Sequence, residues 1–209
     1  MKKAIILCLA ALTVGLCAEN VKLAAPQTKG GASLREALTK RCTIRSYTGK
    51  DLTAQQLSDL FYSACGMNRK DAKKLTIPTA RNVQDTVLYA ATKQGIYRYN
   101  PAAHSLILLK KGDFRQQFGM QKKMFAKAAV VLIYTSDLSK FNFGNSESEK
   151  KIYAGVHAGF AMQNVGLYCA AEGLGNVIIG SYDRKKAPEL LGLKKDQPLL
   201  MVQLVGVLK

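Results

Sequence analysis

Histidine is scarce in this chain: its 209 residues include only two, His104 and His157. Neither has a Cys, Asp or Glu at the spacing that zinc sites use, so we predict no metal centre. The chain also lacks a P-loop, a Gly-x-Gly-x-x-Gly nucleotide fingerprint and a Ser-His-Asp pattern. We therefore expect one histidine on a surface hairpin and the other in helix packing, with no catalytic role for either.

Cysteine supplies no disulfide framework. Cys8 and Cys17 lie in an apolar N-terminal segment, which leaves an odd number, Cys42, Cys65 and Cys169, in the rest of the chain. Cys42 could be read as a nucleophile, but no histidine lies near it in sequence. Its setting favours a small buried residue instead.

Long apolar runs are absent except at the N-terminus. Residues 1–3 carry two lysines, and residues 4–16 are apolar but too few to span a bilayer. We predict a signal peptide over residues 1–18, an irregular leader over residues 19–32 and one domain over residues 33–209. The protein is then exported to the bacterial periplasm or secreted. A lipid anchor on Cys17 is the alternative, and no other stretch is predicted to cross a membrane.

Acidic residues are few, with 14 Asp and Glu against 31 Lys and Arg, which gives a net charge of +17. Such a surface could attract nucleic acid or an anionic membrane. The lysines, however, occur as scattered pairs next to turns, and no aromatic residues interleave with them as a base-stacking platform requires. We expect solvated charge and no nucleic-acid partner.

Helix and strand signals alternate along the rest of the chain. Ser33 and Thr53 each begin a capping box, and a long helix is predicted over residues 149–172. Strands are expected at residues 83–92, 96–99, 106–109, 128–135, 177–179 and 199–208, and short helices at residues 113–119, 122–127 and 184–191. Residues 69–75 have the composition of a polar loop. Strands that begin as a hairpin and are later separated by helices indicate an α+β fold.

Two motifs predict a bound phosphorylated cofactor. Residues 41–45, Arg-Cys-Thr-Ile-Arg, place two arginines four positions apart, which suits a phosphate if the stretch is helical. Residues 78–84, Pro-Thr-Ala-Arg-Asn-Val-Gln, lead into a strand and offer a hydroxyl and an amide to a planar heterocycle. Three further motifs follow in order: residues 163–167 (Gln-Asn-Val-Gly-Leu), 172–175 (Glu-Gly-Leu-Gly) and 178–180 (Ile-Ile-Gly).

This order of motifs resembles the nitroreductase family of flavin mononucleotide (FMN) enzymes over residues 34–209. The family has Ser where this chain has Thr43 and Thr79, so the hydroxyl is kept. Residues 95–101, Gly-Ile-Tyr-Arg-Tyr-Asn-Pro, look most like the azoline-oxidase-like dehydrogenase subgroup. The resemblance implies an α+β nitroreductase-like fold. In that fold helices flank a central mixed or antiparallel sheet, one long helix is central, and FMN lies at a dimer interface.

The resemblance also implies the site residues. Arg41 and Arg45 would bind the phosphate, Thr79 and Asn82 would contact the isoalloxazine, and a backbone N–H of Ile179 or Gly180 would lie near flavin N5. The full set of expected cofactor-binding residues is Arg41, Cys42, Thr43, Arg45, Thr79, Asn82, Ile178, Ile179, Gly180 and Lys209. No catalytic side chain is expected, because the flavin and the backbone around it suffice.

These expectations support an FMN-dependent oxidoreductase that passes hydride or electrons through flavin N5 to an electron-poor small molecule, such as a nitroaromatic or a quinone. One alternative is an exported FMN-binding or electron-relay protein with little NAD(P)H turnover, and another is a basic surface-binding protein on a degenerate flavin scaffold. A homodimer is expected, because the helix at residues 149–172 is too long and apolar for one domain to cover.

Overall fold

Segments rich in Val, Leu, Ile and Tyr form the strands of the protein, and capped amphipathic segments form its helices. The computed structural model describes residues 20–144 and 146–209, so the expected signal peptide and the alternative anchor at Cys17 lie outside the described residues. The strands are β1 (Val21–Lys22), β2 (Met67–Arg69), β3 (Lys74–Leu75), β4 (Thr86–Ala91), β5 (Gly95–Asn100), β6 (Ser105–Lys111), β7 (Val130–Ser136), β8 (Leu174–Ile179) and β9 (Leu199–Val207). The α-helices are α1 (Leu34–Lys40), α2 (Ala54–Cys65), α3 (Lys122–Lys127), α4 (Glu147–Ala171) and α5 (Lys186–Leu191).

One sheet of seven strands organises the chain, in the order β1-β6-β5-β4-β7-β9-β8. Every neighbouring pair in it is antiparallel. The fold is therefore α+β, and of the two sheet types expected the antiparallel one is correct. Strands β2 and β3 form a separate small hairpin.

Helices cover both faces of this sheet. Along β4, Leu88 and Ala90 point to one face and Tyr89 and Ala91 to the other, as strand alternation requires. The first face packs against α2 and α4, and the second packs against α3, α5 and a 3₁₀ turn at Arg115–Phe118. Both faces thus bury apolar side chains.

Local signals account for the helix starts. The Ser33 hydroxyl accepts from Glu36 N, and the Glu36 carboxylate accepts from Ser33 N, so the predicted capping box begins α1. Thr53 and Gln56 do the same for α2. The predicted long helix is α4, with 25 residues. No helix among residues 20–144 and 146–209 has the length and apolar character needed to cross a membrane.

Three local predictions were wrong, each because strand pairing overrides what the local composition indicates. The leader is not irregular throughout, because Val21 and Lys22 pair with β6 and Leu23 is buried. Residues 69–75 are not all loop, because their two ends pair as β2 and β3. Strand β8 begins at Leu174, before the predicted start at residue 177, because β9 pairs with it along its whole length.

Candidate functional site

The 41–45 segment is not helical, contrary to the condition on which the two-arginine argument rested. Helix α1 ends at Lys40, and Arg41 is its C-cap with a non-helical backbone (φ −59°, ψ 118°). Residues 42–46 then run on as neither helix nor strand. The helical spacing therefore does not bring Arg41 and Arg45 to one side; Arg41, Thr43 and Arg45 are all exposed along this segment.

This segment is fixed to the edge of the sheet by backbone hydrogen bonds. Ile44 N donates to Asn176 O in β8 (2.9 Å), and Thr48 N donates to Val207 O in β9 (3.0 Å). The fully buried Tyr47 forms an isolated bridge with Leu208, and its hydroxyl donates to Ile44 O (2.8 Å). Residues 41–48 therefore lie along the outer edge of β8 and the end of β9.

The same arrangement brings the C-terminal lysine to this edge. Because Tyr47 is opposite Leu208, Lys209 lies next to the 41–45 segment. We call Arg41, Arg45 and Lys209 the basic corner; all three are exposed. Within residues 20–144 and 146–209, no carboxylate forms an ion pair with any of them. In the described part of the chain, the corner is therefore a cationic site with no side-chain carboxylate paired to it.

Cys42 is exposed, which corrects the prediction that it is buried. Cys65 and Cys169 are buried, and burial raises the pKa of the Cys65 thiol to about 12. Cys42 is thus the accessible thiol among these three, and it adjoins the basic corner. The alternation of residues 41–43 was misleading because this segment lies along the edge of the sheet and does not form one of its strands.

The end of β8 lies at the same edge. Asn176 uses its carbonyl to bind the 41–45 segment, so the backbone groups of Ile178, two positions on, face the same open side. Ile178 is exposed, Ile179 is buried, and Gly180 is exposed beyond the strand end. A Cβ at Gly180 would meet nothing closer than Met201 Sδ at 3.9 Å, which leaves the approach to its backbone free.

The predicted heterocycle motif forms a tight turn at residues 79–84. Ala80–Asn82 is a 3₁₀ turn in which Asn82 N donates to Thr79 O (2.9 Å). The Thr79 hydroxyl accepts from Gln84 N (3.0 Å) and keeps its own proton to donate. Gln84 Nε2 donates to Asn82 Oδ1 (3.2 Å). The turn therefore presents Thr79 and Asn82 from one preformed unit.

Three residues of this turn adopt left-handed backbone conformations. Arg81, Asn82 and Gln84 have φ of 50°, 57° and 48°. Non-glycine residues rarely adopt positive φ, and clusters of them are typical of ligand-binding sites. Lys140 Nζ holds Gln84 O from outside the turn (2.7 Å).

A buried polar chain anchors the turn to the core. Ser136 Oγ donates to Asp85 Oδ2 (2.6 Å), and the other oxygen of Asp85 bonds to His157 Nδ1 (2.6 Å). His157 Nε2 accepts from Ala80 N (2.9 Å). His157 is indeed in helix packing, as predicted, but the sequence analysis missed its two partners. The available signal was Asp85, a charged residue that directly precedes the largely buried strand β4.

His104 lies at the turn between β5 and β6 and is half-buried. Tyr99 OH bonds to its Nδ1 (2.8 Å) and Ser58 Oγ to its Nε2 (2.7 Å). Ser58 also donates to Ala24 O (2.6 Å), so this histidine helps to fix the leader. Burial lowers the pKa of His104 below its ordinary value. It is a structural residue of the predicted hairpin.

The basic corner and the 79–84 turn lie on opposite flanks of α4. The turn binds His157, whereas Arg41 lies over Gly166, where an added Cβ would meet its Cγ and Cδ at 3.9 Å. These contact points are nine residues apart, which is about two and a half turns of helix, so they point to opposite sides. Within one protomer, the basic corner therefore lies beside the end of β8, and the 79–84 turn lies on the other side of α4.

Comparison with known proteins agrees with this architecture. A model of the nitroreductase family matches residues 38–207. The chain is 28% identical over 181 residues to the nitroreductase-like protein MJ1384 of Methanocaldococcus jannaschii, covering 81% of this chain and 88% of that protein. A crystal structure of a nitroreductase-like protein from Ralstonia eutropha JMP134 has a TM-score of 0.85 at 27% identity, covering 94% of this chain and 92% of that one. A nitroreductase-like protein from Desulfovibrio desulfuricans, crystallised in complex with FMN, shares the fold (TM-score 0.59, 16% identity, 85% and 87% coverage).

Proposed function

Because the chain belongs to the nitroreductase family and is an oxidoreductase, we propose that it binds FMN with the phosphate in the basic corner. The observation that carries this proposal is that Arg41, Arg45 and Lys209 lie at one sheet edge with no side-chain carboxylate paired to them among the described residues. A flavin phosphate carries close to two negative charges and would supply the missing counter-ion. The complex of the Desulfovibrio desulfuricans relative with FMN supports the choice of cofactor.

The residues present fit such a cofactor. Arginine can bind a phosphate through two parallel N–H donors, and the exposed Thr43 adds a hydroxyl between Arg41 and Arg45 in the same segment. Cys42 adjoins them and is exposed. Exposed backbone at Ile178 and Gly180, beside the buried Ile179, leaves N–H donors free for a ring edge. Bound FMN would supply the hydride and electron transfer, while the chain binds it and orients it.

FMN binding in this proposal requires two copies of the chain. Thr79 and Asn82 are the groups suited to the isoalloxazine, yet their turn lies across α4 from the basic corner. One protomer cannot bring both to one flavin without crossing the helix. We infer that the phosphate contacts come from one protomer and the ring contacts of Thr79 and Asn82 from a second copy.

The face of α4 between these two flanks is suited to the dimer contact. Ile152, Val156 and Phe160 follow one another at four-residue spacing and are 66%, 48% and 41% exposed. At Gly155 and Gly159 on the same face, an added Cβ would meet nothing within 4 Å. An apolar stripe with small residues, open to solvent in one protomer, supports a homodimer through α4.

The phosphate assignment is tested by the double variant Arg41→Ala/Arg45→Ala. Each charged contact is worth about 1.5–3 kcal/mol, so together they should lower FMN affinity at least about a hundredfold. The matched control, Lys194→Ala/Lys195→Ala, removes two exposed charges elsewhere and should bind FMN like the parent. Affinity is measured by quenching of flavin fluorescence in apoprotein titrations. Equal affinity in the double variant and its control would refute the assignment.

The shared site is tested by mixing two defective proteins. Arg41→Ala/Arg45→Ala lacks the phosphate contacts, and Thr79→Ala/Asn82→Ala lacks the ring contacts. If each flavin uses both protomers, a heterodimer of the two has one site lacking both sets and one intact site. Refolding them together should restore about half of the FMN capacity of the parent in the heterodimer fraction. Light scattering should show a dimer; a monomer at micromolar concentration would refute this arrangement.

For the reaction, we propose electron transfer to an electron-poor small molecule such as a nitroaromatic or a quinone. The β5–β6 hairpin, which holds the Gly-Ile-Tyr-Arg-Tyr pattern, supports a relation to the azoline-oxidase-like subgroup. Anaerobic addition of NADH or NADPH to the FMN-loaded protein should bleach the flavin absorbance, and a nitroaromatic should restore it. A flavin that neither nucleotide bleaches would instead support the electron-relay alternative.

We also propose that the protein is exported, from the lysines and apolar run in residues 1–16. N-terminal sequencing of the protein from the periplasm or the medium should find residue 19 first. Recovery in the membrane fraction with a modified Cys17 would favour the lipid anchor instead.

A further inference from the structure

The buried chain from Ser136 through Asp85 to His157 is a polar feature that the proposed FMN contacts do not use. All three side chains are buried, with 0% exposure for Ser136 and Asp85 and 2% for His157. The imidazole also stacks on Phe141, with ring centroids 6.2 Å apart and planes at 7°. Buried polar groups in proteins are almost always hydrogen-bonded. The positions of the protons in this series of side chains therefore follow from the partners of each group.

The proton positions follow from one fixed donor. Ala80 N can only donate, so His157 Nε2 accepts and carries no hydrogen. The hydrogen of the neutral imidazole is then on Nδ1 and is donated to Asp85 Oδ1. The Ser136 hydroxyl donates to the other oxygen, so the Asp85 carboxylate accepts twice. Every group in the chain has one role, and His157 is neutral.

This arrangement is not that of a catalytic triad. Ser136 contacts the aspartate and not the histidine, so nothing activates its oxygen as a nucleophile. His157 Nε2, the nitrogen that would exchange a proton with a substrate, is occupied by a backbone N–H. The series Ser136–Asp85–His157 can therefore fix the backbone N–H of Ala80, but it cannot transfer a proton to a ligand.

The backbone group that it holds belongs to the turn that presents Thr79 and Asn82. Ala80 lies between them, and the turn continues through left-handed residues at Arg81, Asn82 and Gln84. Residues in such conformations persist only where their surroundings fix them. Ala80 lies at the start of the turn, and its N–H donates to His157 Nε2. Among the described residues, this is the one hydrogen bond that a core side chain makes to the start of the turn.

We propose that His157 is a positioning residue for flavin binding, which rests on the function proposed above. Its neutral imidazole, oriented by Asp85, holds Ala80 and so keeps Thr79 and Asn82 in a preformed arrangement before the cofactor arrives. Without this bond the turn samples other conformations, and the affinity for FMN falls in proportion to the fraction of molecules that remain competent.

The variants are chosen to remove the hydrogen bond between Ala80 N and His157 Nε2 and to separate its effect from that of changing a buried histidine. His157→Phe keeps a stacking ring but has no acceptor for Ala80 N. Asp85→Asn/His157→Phe does the same without leaving a buried unpaired charge, and serves if the single variant does not fold. His157→Gln restores an acceptor and a donor, while the control His104→Gln makes the same change at the other histidine, whose partners are Tyr99 and Ser58.

Two measurements are made on the purified full chain. Amide hydrogen exchange without FMN reports on Ala80 N directly, with the amides of β4 as an internal reference. Fluorescence titration then gives the affinity for FMN. In the folded His157→Phe protein, or in the double variant, we expect Ala80 exchange to rise about tenfold or more and FMN affinity to fall about tenfold, as for a turn formed in one molecule in ten. His157→Gln should recover part of both, and His104→Gln should stay near the parent.

The outcomes separate this proposal from the one on which it rests. If the parent binds FMN and the folded His157 variants match it in Ala80 exchange and in affinity, the positioning role is refuted and FMN binding stands. If exchange rises but affinity does not change, the bond exists but the flavin does not depend on it, and the proposal is again refuted. A parent that binds no FMN would refute the proposed function, and this proposal with it.

Discussion

Replacing Gly206 by alanine should displace Tyr47, the residue that fastens the 41–48 segment to the sheet. A Cβ added at Gly206 would lie 2.8 Å from Tyr47 Cδ1 and 2.9 Å from its Cγ. Carbon atoms in contact are about 3.5–4.0 Å apart, so the ring would have to retreat by at least about 0.7 Å. It has little room, because Tyr47 is 1% exposed and its Cε1 is 3.1 Å from where a Cβ at Gly175 would stand.

The expected magnitude follows from two opposed effects. Overpacking a filled core costs about 1–3 kcal/mol, while alanine in place of glycine recovers about 0.5–1 kcal/mol through the unfolded chain. The free energy of unfolding should therefore fall by about 1–2 kcal/mol. For a protein of this size that lowers the Tm by about 2–8 °C. FMN affinity should fall as well, because Tyr47 holds the segment that carries the basic corner.

The assay is thermal unfolding of the apoprotein, followed by circular dichroism. The control is Gly180→Ala at the far end of β8, where the new methyl group would meet only Met201 Sδ at 3.9 Å and the Tm should not fall. In a Tyr47→Ala background, which removes Cγ and Cδ1 and leaves only the Cβ at 3.1 Å, Gly206→Ala should cost much less. An undiminished loss of Tm in that background would show that Tyr47 is not the obstacle, and the reasoning would fail.

Three further predictions concern ionisable side chains. The Arg115 guanidinium holds the pKa of Asp113 below its ordinary 3.8, so this stabilisation is present above that value and is lost as the pH falls through the lower folded pKa. Asp113→Asn should be less stable than the parent by about 1 kcal/mol at pH 7 in urea unfolding, allowing for the partly exposed carboxylate, and should converge with it in acid. Burial lowers the pKa of His104 below 6.5, so the parent should lose stability as the pH falls below 6.5, and a His104→Gln variant should lose less in the same urea series. In folded protein beginning at residue 20, a thiol reagent should label Cys42 rapidly and Cys65 slowly, and FMN should slow the labelling of Cys42; equal rates for the two thiols would contradict the assigned burial.

Sequence patterns predicted the elements whose causes are local. The capping boxes at Ser33 and Thr53 begin α1 and α2, because all the groups involved lie within four residues. The β-branched run at residues 130–136 forms a strand buried along its whole length. The family and the α+β fold followed from motifs in a fixed order, each contained in a few residues.

Features that depend on remote partners could not be predicted in this way. His157 meets Asp85 across 72 positions and Ala80 across 77, and the one local signal, an aspartate next to a buried strand, does not identify its partner. Strand β1 is two residues long and pairs with a strand more than 80 residues away. The two flanks of α4 likewise emerge only once the helix is packed, so sequence could name the FMN contacts without showing that one protomer separates them.

The strap formed by β1 also bears on how the protein avoids self-association. Without it, the outer edge of β6 would expose unpaired backbone groups, which are templates for strand addition between molecules. Val21 and Lys22 cover Leu106 and Ser105, Asn20 Oδ1 accepts from Leu108 N, and lysines occupy the last two positions of the strand. Residues 20–22, which precede the nitroreductase domain, thus cover the edge of β6 and disfavour aggregation through it. A protein that has lost them would be expected to form oligomers edge to edge, independently of any dimer through α4.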